Sequence, residues 1–336
     1  MAVVPGFGPG PSKINKSLLQ QRRKKVSVFT KVSHAELTEF LRRYPLGELL
    51  GFQGIGEGVE NTNYFVDTTD GRWVLTLFER LNHDDLPFFL GLMEHLASRG
   101  FPSAMPAHTR DGASLTHLNG KPAALVRRLS GQSVLFPTTA QCQAVGRVLG
   151  ELHVDAASYV GCCANPRGPA WRAATGKALL PKVDATTRAR IEQALTEDAR
   201  INWSALPQGV IHADLFKDNV LFVEERLTGV IDFYYACNDA LLYDLAVTVN
   251  DWCTEPDGRV NPARWAALVE AYRSRREFEA QERDAWPRVL RAAALRFWLS
   301  RLYDWHFPRD GDVVHVKNPD QYGRILEHHR SQPPQL

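Results

Sequence analysis

The feature that most constrains the fold is a polar loop between two apolar runs, GVIHADLFKDNVLF, at residues 209–222. The runs on either side, VI and VLFV, have the composition of short buried β-strands. A plain turn between strands needs only Gly, Asn or Pro, whereas this loop carries a histidine, acids, an amide and a lysine. Because buried strands would hold both of its ends, the loop is a rigid mount for polar side chains, and we expect it to carry chemistry.

The segment after the loop, VLFVEERLTGVIDF, predicts a β-hairpin with its turn between residues 224 and 229. Such a hairpin would bring Asp232 back beside Asn219, at the exit of the loop that contains Asp214. The resulting oxygen donors suit a magnesium ion and phosphoryl transfer from ATP. We therefore predict that Asn219 and Asp232 bind Mg²⁺ and that Asp214 accepts the proton of an attacking hydroxyl.

Two further residues of the loop have predicted roles. His212 would brace the loop by hydrogen bonding rather than react. Lys217 would neutralise the γ-phosphate as its charge moves, although an exposed loop lysine would leave the same pattern in the sequence. Asp218 is expected to be solvated. Asn219 as a turn cap and Asp232 in a structural ion pair are the alternatives to the metal site, and the combined spacing favours the metal site.

The region 28–128 predicts a small α+β lobe. Apolar residues alternate in NYFVDT and RWVLTLF, and Asp70-Gly71 is a dipeptide that closes hairpins. A helix capped by Ser33, with Glu36 at the capping-box position, precedes these strands. The predicted strands span 49–55, 62–68, 72–79, 113–118 and 122–128, and a second helix spans 85–99.

The first turn of this lobe is rich in glycine. Gly54, Gly56 and Gly58 alternate with other residues before Asn61, so backbone N–H groups can approach a phosphate closely. Glycine-rich hairpins are common, and the turn predicts a nucleotide site only in combination with the polar loop. Gly56, Gly58 and Asn61 are the candidate phosphate-binding residues.

Residues 129–327 predict a mainly helical second lobe. Its predicted helices include 185–198, 241–253, 262–275 and 279–306. With 336 residues, of which 44% are apolar and 23% charged, the chain is long enough for two lobes with a substantial core. Residues 1–27, rich in Pro, Gly and basic residues, predict a flexible tail, and residues 328–336 a short C-terminal tail.

Composition narrows the range of partners. The net charge is +2 with acids and bases interspersed, so a nucleic-acid partner is not expected, although the basic tail leaves a nucleic-acid arm as an alternative. No apolar run approaches the roughly 18 residues that span a bilayer, so no membrane association is expected. The five cysteines lack CxxC pairs, which favours reduced thiols and a cytoplasmic location. The oligomeric state stays open.

VIHADLFKDNVLF and GVIDF resemble the catalytic loop and metal-binding aspartate of the aminoglycoside phosphotransferase and choline kinase superfamily, relatives of protein kinases. YDLA at 243–246 resembles the segment whose aspartate, here Asp244, supports that loop. GVENTNYFV, LTLFER and RFWLSRLYD further resemble bacterial homoserine kinases of this superfamily. The resemblance covers about residues 28–327. It implies a bilobal α+β kinase-like fold and MgATP-dependent phosphorylation of the side-chain hydroxyl of L-homoserine, in threonine biosynthesis.

The resemblance also implies a hinge after the last small-lobe strand. Backbone groups of Leu125, Val126 and Arg127 would then lie near an adenine edge, although core packing explains the first two equally well. A zwitterionic substrate needs a cation for its carboxylate and an acid for its ammonium group. The candidates on one late helix are Arg296, Trp298, Arg301 and Asp304, with Arg167 and Trp171 as further possibilities. A helix with surface ion pairs and a core tryptophan would give the same pattern.

One position departs from the superfamily. Its third strand usually carries a lysine for the α- and β-phosphates, and Thr76 stands at that place. A neutral hydroxyl cannot supply the charge. Either Arg80 or Arg128 substitutes for the lysine, or the metal and the glycine-rich turn neutralise more of the phosphate charge. Glu94 would then lack its usual ion-pair partner.

Two other functions stay open at this stage. One is a kinase for another small hydroxylated amine, such as choline, ethanolamine, an aminoglycoside or a sugar amine. The other is an inactive nucleotide-binding scaffold, which the missing lysine would suggest in a chain with an incomplete loop. The loop is complete here, which favours an active kinase.

Overall fold

The computed structural model describes residues 29–56, 61–81, 83–307 and 318–336. The predicted tail of residues 1–27 and the candidate Gly58 lie outside these residues.

The first part of the chain forms a five-stranded antiparallel sheet with the strand order β1-β2-β3-β5-β4. Helix α1 begins with the predicted capping box, in which Ser33 and Glu36 bond each other's backbone N–H groups. The first three strands end within two residues of their predicted positions. The elements are α1 (His34–Leu41), β1 (Leu49–Gly54), β2 (Thr62–Thr68), β3 (Gly71–Leu77), α2 (Leu86–Ala97), β4 (Thr116–Leu118) and β5 (Lys121–Arg127).

The two faces of this sheet have different partners because side chains alternate along each strand. Tyr64 and Leu75 belong to a small core that they share with Phe40 of α1. Val74 and Val126 face the other way and pack against the core of the larger lobe. The second face therefore forms one wall between the lobes.

The rest of the chain is mainly helical. Two short antiparallel sheets, β6-β9 and β7-β8, interrupt the helices. The elements are α3 (Thr139–Asp155), α4 (Pro169–Leu179), α5 (Ala185–Asp198), β6 (Gln208–Ile211), β7 (Val220–Val223), β8 (Arg226–Val230), β9 (Cys237–Ala240), α6 (Leu241–Trp252), α7 (Pro262–Arg273), α8 (Ala280–His306) and α9 (Asp320–Ser331). Four helices match their predicted ranges closely, whereas α4, β9 and α9 were not predicted. No helix in the described ranges is long and apolar enough to cross a membrane.

The last helix changes the interpretation of the C-terminus. Helix α9 passes through residue 328, where the sequence predicted that a tail begins, and ends at Ser331. His329 is buried and its Nε2 lies 2.7 Å from Asn250 Oδ1, while Trp286 donates to the Pro334 carbonyl. Residues 328–336 therefore contact the core. The buried positions of α9 follow a helical period, but the helix is short and polar overall, which hides the pattern.

Candidate active site

The polar loop is anchored by one buried carboxylate. Asp244, in the first turn of α6, is fully buried. Its Oδ2 accepts the His212 N–H at 2.7 Å and its Oδ1 accepts the Ala213 N–H at 2.8 Å. Ala213 has a left-handed backbone (φ 62°), a conformation that a residue with a Cβ adopts only when its surroundings enforce it. The predicted support of the loop by Asp244 is present.

A chain of buried polar groups holds Asp244 in turn. His153 Nε2 of α3 lies 3.2 Å from Asp244 Oδ2, and His153 Nδ1 lies 2.9 Å from the hydroxyl oxygen of Tyr272 in α7. Buried networks of this kind fix one arrangement when their members are satisfied. Three helices therefore determine where the loop begins.

Replacing Asp244 should destabilise the fold. In Asp244→Asn, one of the two backbone N–H groups would face an amide NH₂ instead of an acceptor. Because a buried charged hydrogen-bond acceptor is lost, we expect the free energy of unfolding to fall by about 3 kcal/mol. Urea denaturation followed by circular dichroism measures this change. Asp257→Asn, which alters an exposed carboxylate, is the control and should leave the unfolding free energy unchanged; an equal effect of both variants would contradict the bracing role.

His212 has the environment of a structural residue. It is fully buried, its Nε2 lies 3.1 Å from the Ile231 carbonyl oxygen, and its ring is 4.8 Å from the Phe233 ring. Burial lowers the pKa of His212, so the ring is neutral near pH 7. These contacts link the loop to the end of the β7-β8 hairpin and favour the bracing role over a chemical one.

Asp214 and Asn219 are in direct contact. Asn219 is buried, and its Nδ2 donates to the Asp214 carbonyl oxygen at 2.8 Å and to Asp214 Oδ2 at 3.2 Å. Asp214 is half-buried. One amide therefore fixes both the backbone and the carboxylate of the candidate base.

The hairpin returns Asp232 to the loop as predicted. Val230 pairs with Val220, and the Ile231 N–H donates to the Asn219 carbonyl at 3.0 Å. Asp232 is exposed and has a left-handed backbone (φ 63°, ψ 58°), which costs a non-glycine residue on the order of 1–2 kcal/mol. Such strain at a polar site is typical of functional positions.

The donors at this place fit a hard divalent cation. Both hydrogen bonds of the Asn219 side chain use its nitrogen, so its oxygen Oδ1 stays available as a ligand. Asp232 would add a carboxylate. No group of three or more His, Cys, Asp or Glu side chains suited to a metal occurs in the described part of the chain. A cation here would therefore complete its shell with phosphate oxygens and water, as Mg²⁺ commonly does.

Lys217 is tied to α6 through its backbone. Its backbone N–H donates to Asp251 Oδ2 at 2.8 Å, and its side chain is half-exposed. A cavity of about 860 Å³ opens beside it, lined also by Thr254, Arg264, Gln321 and Arg324. Lys217 can therefore be reached from solvent.

A neutral hydrogen-bonded group occupies the place of the usual lysine. Thr76 Oγ1 donates to Asn63 Oδ1 at 2.8 Å and also bonds the Tyr234 hydroxyl. Burial and the nearby Asp232 raise the pKa of Tyr234, so the phenol stays protonated. Phe78 packs edge-on against Tyr234 at 5.0 Å. Sequence reasoning did not identify Tyr234, although it lies only two residues after the candidate metal ligand.

The residues proposed to compensate for the lysine have other contacts. Glu94 Oε1 lies 3.0 Å from His108 Nε2. The Arg128 guanidinium stacks on the Phe65 ring at 3.8 Å, on the sheet face that carries Thr76. Arg80 is exposed. Arg128 is thus the candidate on the wall between the lobes, and its role as a substitute stays a prediction.

Some of the candidate nucleotide-binding residues already use their backbone groups in hydrogen bonds within the protein. Gly56 and Asn61 lie at the described ends of the first turn, beyond the bond from Ile55 N–H to the Asn63 carbonyl. In β5, the Leu125 carbonyl accepts the Ala107 N–H, and the Arg127 N–H donates to the Met105 carbonyl. These two groups are used inside the small lobe, and Leu125 and Val126 are buried. Core packing therefore explains these two side chains.

The late-helix candidates separate into different environments on α8. Trp298 packs between Arg190 and Gly323, which favours a core role. Arg301 donates to the Asn318 carbonyl and to Gln321 Oε1. Asp304 is half-buried. Arg296 is buried against the ring of Tyr235, three residues after Asp232.

The two further substrate candidates lie outside α8 and contact each other. The Arg167 guanidinium stacks on Trp171 at 4.6 Å.

Comparison with known proteins identifies the family. The model of the phosphotransferase enzyme family matches residues 51–278, which is more than half of the chain and includes the polar loop and Asp232. The chain belongs to the phosphotransferase enzyme family. Its relatives include a homoserine kinase from Methylobacillus flagellatus, 48% identical over 90% of this chain and 95% of the relative. Homoserine kinases from Brucella anthropi and Burkholderia ambifaria are 45% and 42% identical over 91% and 93% of this chain, and over 95% and 98% of their own lengths.

Solved structures of phosphotransferases share the fold. An amicoumacin kinase in complex with AMP-PNP and Ca²⁺ has a TM-score of 0.67 at 12% identity, covering 89% of this chain and 93% of that one. Spectinomycin phosphotransferase in complex with ADP and spectinomycin has a TM-score of 0.64 at 13% identity, covering 89% and 95%. The predicted bilobal α+β kinase-like fold and the predicted family are both confirmed.

Proposed function

We propose that this phosphotransferase is a homoserine kinase, which transfers the γ-phosphate of ATP to the side-chain hydroxyl of L-homoserine with Mg²⁺ as the divalent ion. The observation that carries the proposal is the direct contact of Asp214 with Asn219, beside the returning Asp232, in a chain 42–48% identical to homoserine kinases. Two solved proteins of this fold hold AMP-PNP with Ca²⁺ and ADP, respectively. The activity would place the protein in threonine biosynthesis.

The reaction needs alignment rather than covalent help from the protein. The hydroxyl oxygen of the substrate attacks the γ-phosphorus, the bond from that phosphorus to the β,γ-bridging oxygen breaks, and ADP leaves. Asp214 accepts the hydroxyl proton. Its carboxylate is held by Asn219 Nδ2, and its backbone is held by the same amide and by the Asp244 anchor one residue upstream. The base therefore has little freedom to move away from the hydroxyl.

The remaining residues would neutralise the negative charge of the phosphates. Asn219 Oδ1 and Asp232 would hold Mg²⁺, which when bound neutralises charge on the phosphate oxygens. Lys217 would approach the γ-phosphate, and backbone N–H groups near Gly56 and Asn61 would approach the other phosphates. Because the group at Thr76 and Tyr234 is neutral, the metal and the turn would carry more of the phosphate charge than in relatives with a lysine.

A substrate panel tests the proposal. Purified protein with ATP and Mg²⁺ is assayed for ADP release with L-homoserine, choline, ethanolamine, an aminoglycoside and a sugar amine. We expect kcat/KM for L-homoserine to exceed that for each other alcohol by about a hundredfold or more, because a site built for a charged group rejects substrates that lack it. Turnover of another amine without turnover of homoserine would overturn the proposal, and ATP binding without any turnover would indicate an inactive scaffold.

A further inference from the structure

One largely buried cation near the loop has no anionic partner among the residues that the structure describes. Arg296 is only 6% exposed, and its described contacts are stacking contacts, at 3.7 Å to the Phe297 ring and 5.5 Å to the Tyr235 ring. Within the described ranges its guanidinium makes no hydrogen bond or ion pair. A guanidinium on a largely buried side chain that has no acceptor from the protein is suited to bind an anion from solution.

Three other arginines of this lobe, of which Arg172 and Arg301 are buried and Arg264 is half-buried, provide a contrast. Arg172 donates two hydrogen bonds of 2.8 Å to Asp198. Arg301 donates to Asn318 and Gln321, and Arg264, beside the 860 Å³ cavity, pairs with Glu255. Each of these guanidinium groups has at least one hydrogen-bond acceptor among the described residues. Arg296 is the exception in this comparison.

Two buried hydroxyl groups near Arg296 also lack partners. The hydroxyl oxygens of Tyr243 and Tyr322 are buried and have no hydrogen-bond partner among the residues that the structure describes. Burial raises the pKa of both tyrosines, and the positive charge of Arg296 is one of the smaller influences that oppose that rise in each. Tyr322 is tied to the neighbourhood of Arg296 by its ring contact with Phe297, the next residue of α8, at 5.2 Å.

This region adjoins the reacting groups. Tyr235 follows Asp232 by three residues, and the Phe297 ring lies 4.5 Å from the ring of Phe216, two residues after Asp214. Tyr322 packs on the same two phenylalanine rings, at 5.2 and 6.3 Å. In L-homoserine the hydroxyl oxygen and the carboxylate are separated by about 5 Å. A short amino acid could thus reach both the base and this region.

We infer that Arg296 binds the carboxylate of the substrate and so selects an amino acid over a simple amino alcohol. The inference rests on the proposed function, because it takes L-homoserine as the substrate. A guanidinium matches a carboxylate in a two-point hydrogen-bonded pair, and the stacked rings hold its plane in one orientation. Arg301, whose Nη1 already donates to Asn318 and Gln321, would shape the wall without binding the carboxylate.

The test compares two arginines of the same helix. Arg296→Met removes the proposed carboxylate ligand, and Arg291→Met removes an arginine one and a half turns away that pairs with Glu197. We expect Arg296→Met to raise the KM for L-homoserine about a hundredfold and to leave the KM for ATP within about twofold. Arg291→Met should leave both KM values unchanged, whatever its effect on thermal stability.

Substrates without a carboxylate provide an independent check on the unmodified protein. 3-Aminopropan-1-ol has the hydroxyl and the amine of homoserine but no carboxylate, and we expect its kcat/KM to be at least about a thousandfold lower. In Arg296→Met that preference should shrink to about tenfold. A preference that is unchanged in the folded variant would overturn the inference.

The remaining outcomes are also decisive. If Arg296→Met does not fold, Arg296→Lys replaces it, and a rise of about tenfold in the homoserine KM is expected because lysine cannot form the two-point pair. A homoserine KM within threefold of the parent value in either folded variant overturns the inference but leaves the proposed function intact. If the unmodified protein does not phosphorylate homoserine, the proposed function and the inference both fail.

Discussion

Asp214→Asn is expected to lower kcat about a thousandfold while leaving the Kd for ATP within about twofold, because a positioned base contributes roughly 10²–10⁴-fold and does not bind the nucleotide. The substitution should preserve the geometry. Asn219 Nδ2 still donates to the backbone carbonyl of residue 214, and the new amide oxygen can accept in place of Oδ2. Steady-state assays with L-homoserine and ATP titrations measure the two quantities.

The neighbouring Asp218 provides the matched control for this prediction. It is exposed and lies on the same loop, so Asp218→Asn makes the same change of charge four residues away. We expect its kcat to stay within about threefold of the parent, since a surface charge has a small effect. A loss of ATP binding as large as the loss of turnover in Asp214→Asn would argue that Asp214 holds the nucleotide instead.

Asp232→Asn is expected to change the dependence on magnesium. The amide keeps the shape of the side chain, and asparagine tolerates the left-handed backbone at this position, so the fold should persist. Loss of one negative ligand should raise the Mg²⁺ concentration for half-maximal activity at least about tenfold and lower kcat about a hundredfold at a fixed low Mg²⁺ concentration. Magnesium titrations at saturating ATP measure both.

Glu224→Gln is the control for Asp232→Asn. Glu224 lies at the turn of the same β7-β8 hairpin, is exposed and also has a positive φ of 56°. Its neutralisation should leave the magnesium titration unchanged. If Asp232→Asn responds to magnesium like the parent, the metal ligand is not Asp232.

Local patterns predicted most of the elements because the signals lie within a few residues of each other. Alternating side chains and the Asp70-Gly71 turn gave strands β2 and β3, and the Ser33 cap gave the start of α1. Helix α4 and strand β9 were missed. Strand β9 is a four-residue strand that pairs with β6 more than twenty residues earlier, and such short elements depend on tertiary contacts.

In the candidate site, too, contacts within one loop or hairpin could be predicted, whereas contacts between distant segments could not. The spacing of Asp214, Asn219 and Asp232 could be found from the sequence because one loop and one hairpin bring them together. The chain from Asp244 to His153 and Tyr272 could not, because it joins residues up to 119 positions apart. The contacts of Trp298 with Arg190 and Gly323 could not be predicted either, since helical spacing does not tell which neighbour a face meets.

The position of α9 has a consequence for protein synthesis. Tyr322 is fully buried and packs against Phe216 of the polar loop, and α9 is the last of the described helices to be translated. Domains generally fold from the N-terminal side during synthesis. The surface that α9 covers in the finished protein would therefore stay exposed until this helix is synthesised and packs. A chain truncated before Asp320 would accordingly leave Phe216 and Phe297 uncovered, and quality-control chaperones that recognise apolar surface would retain it.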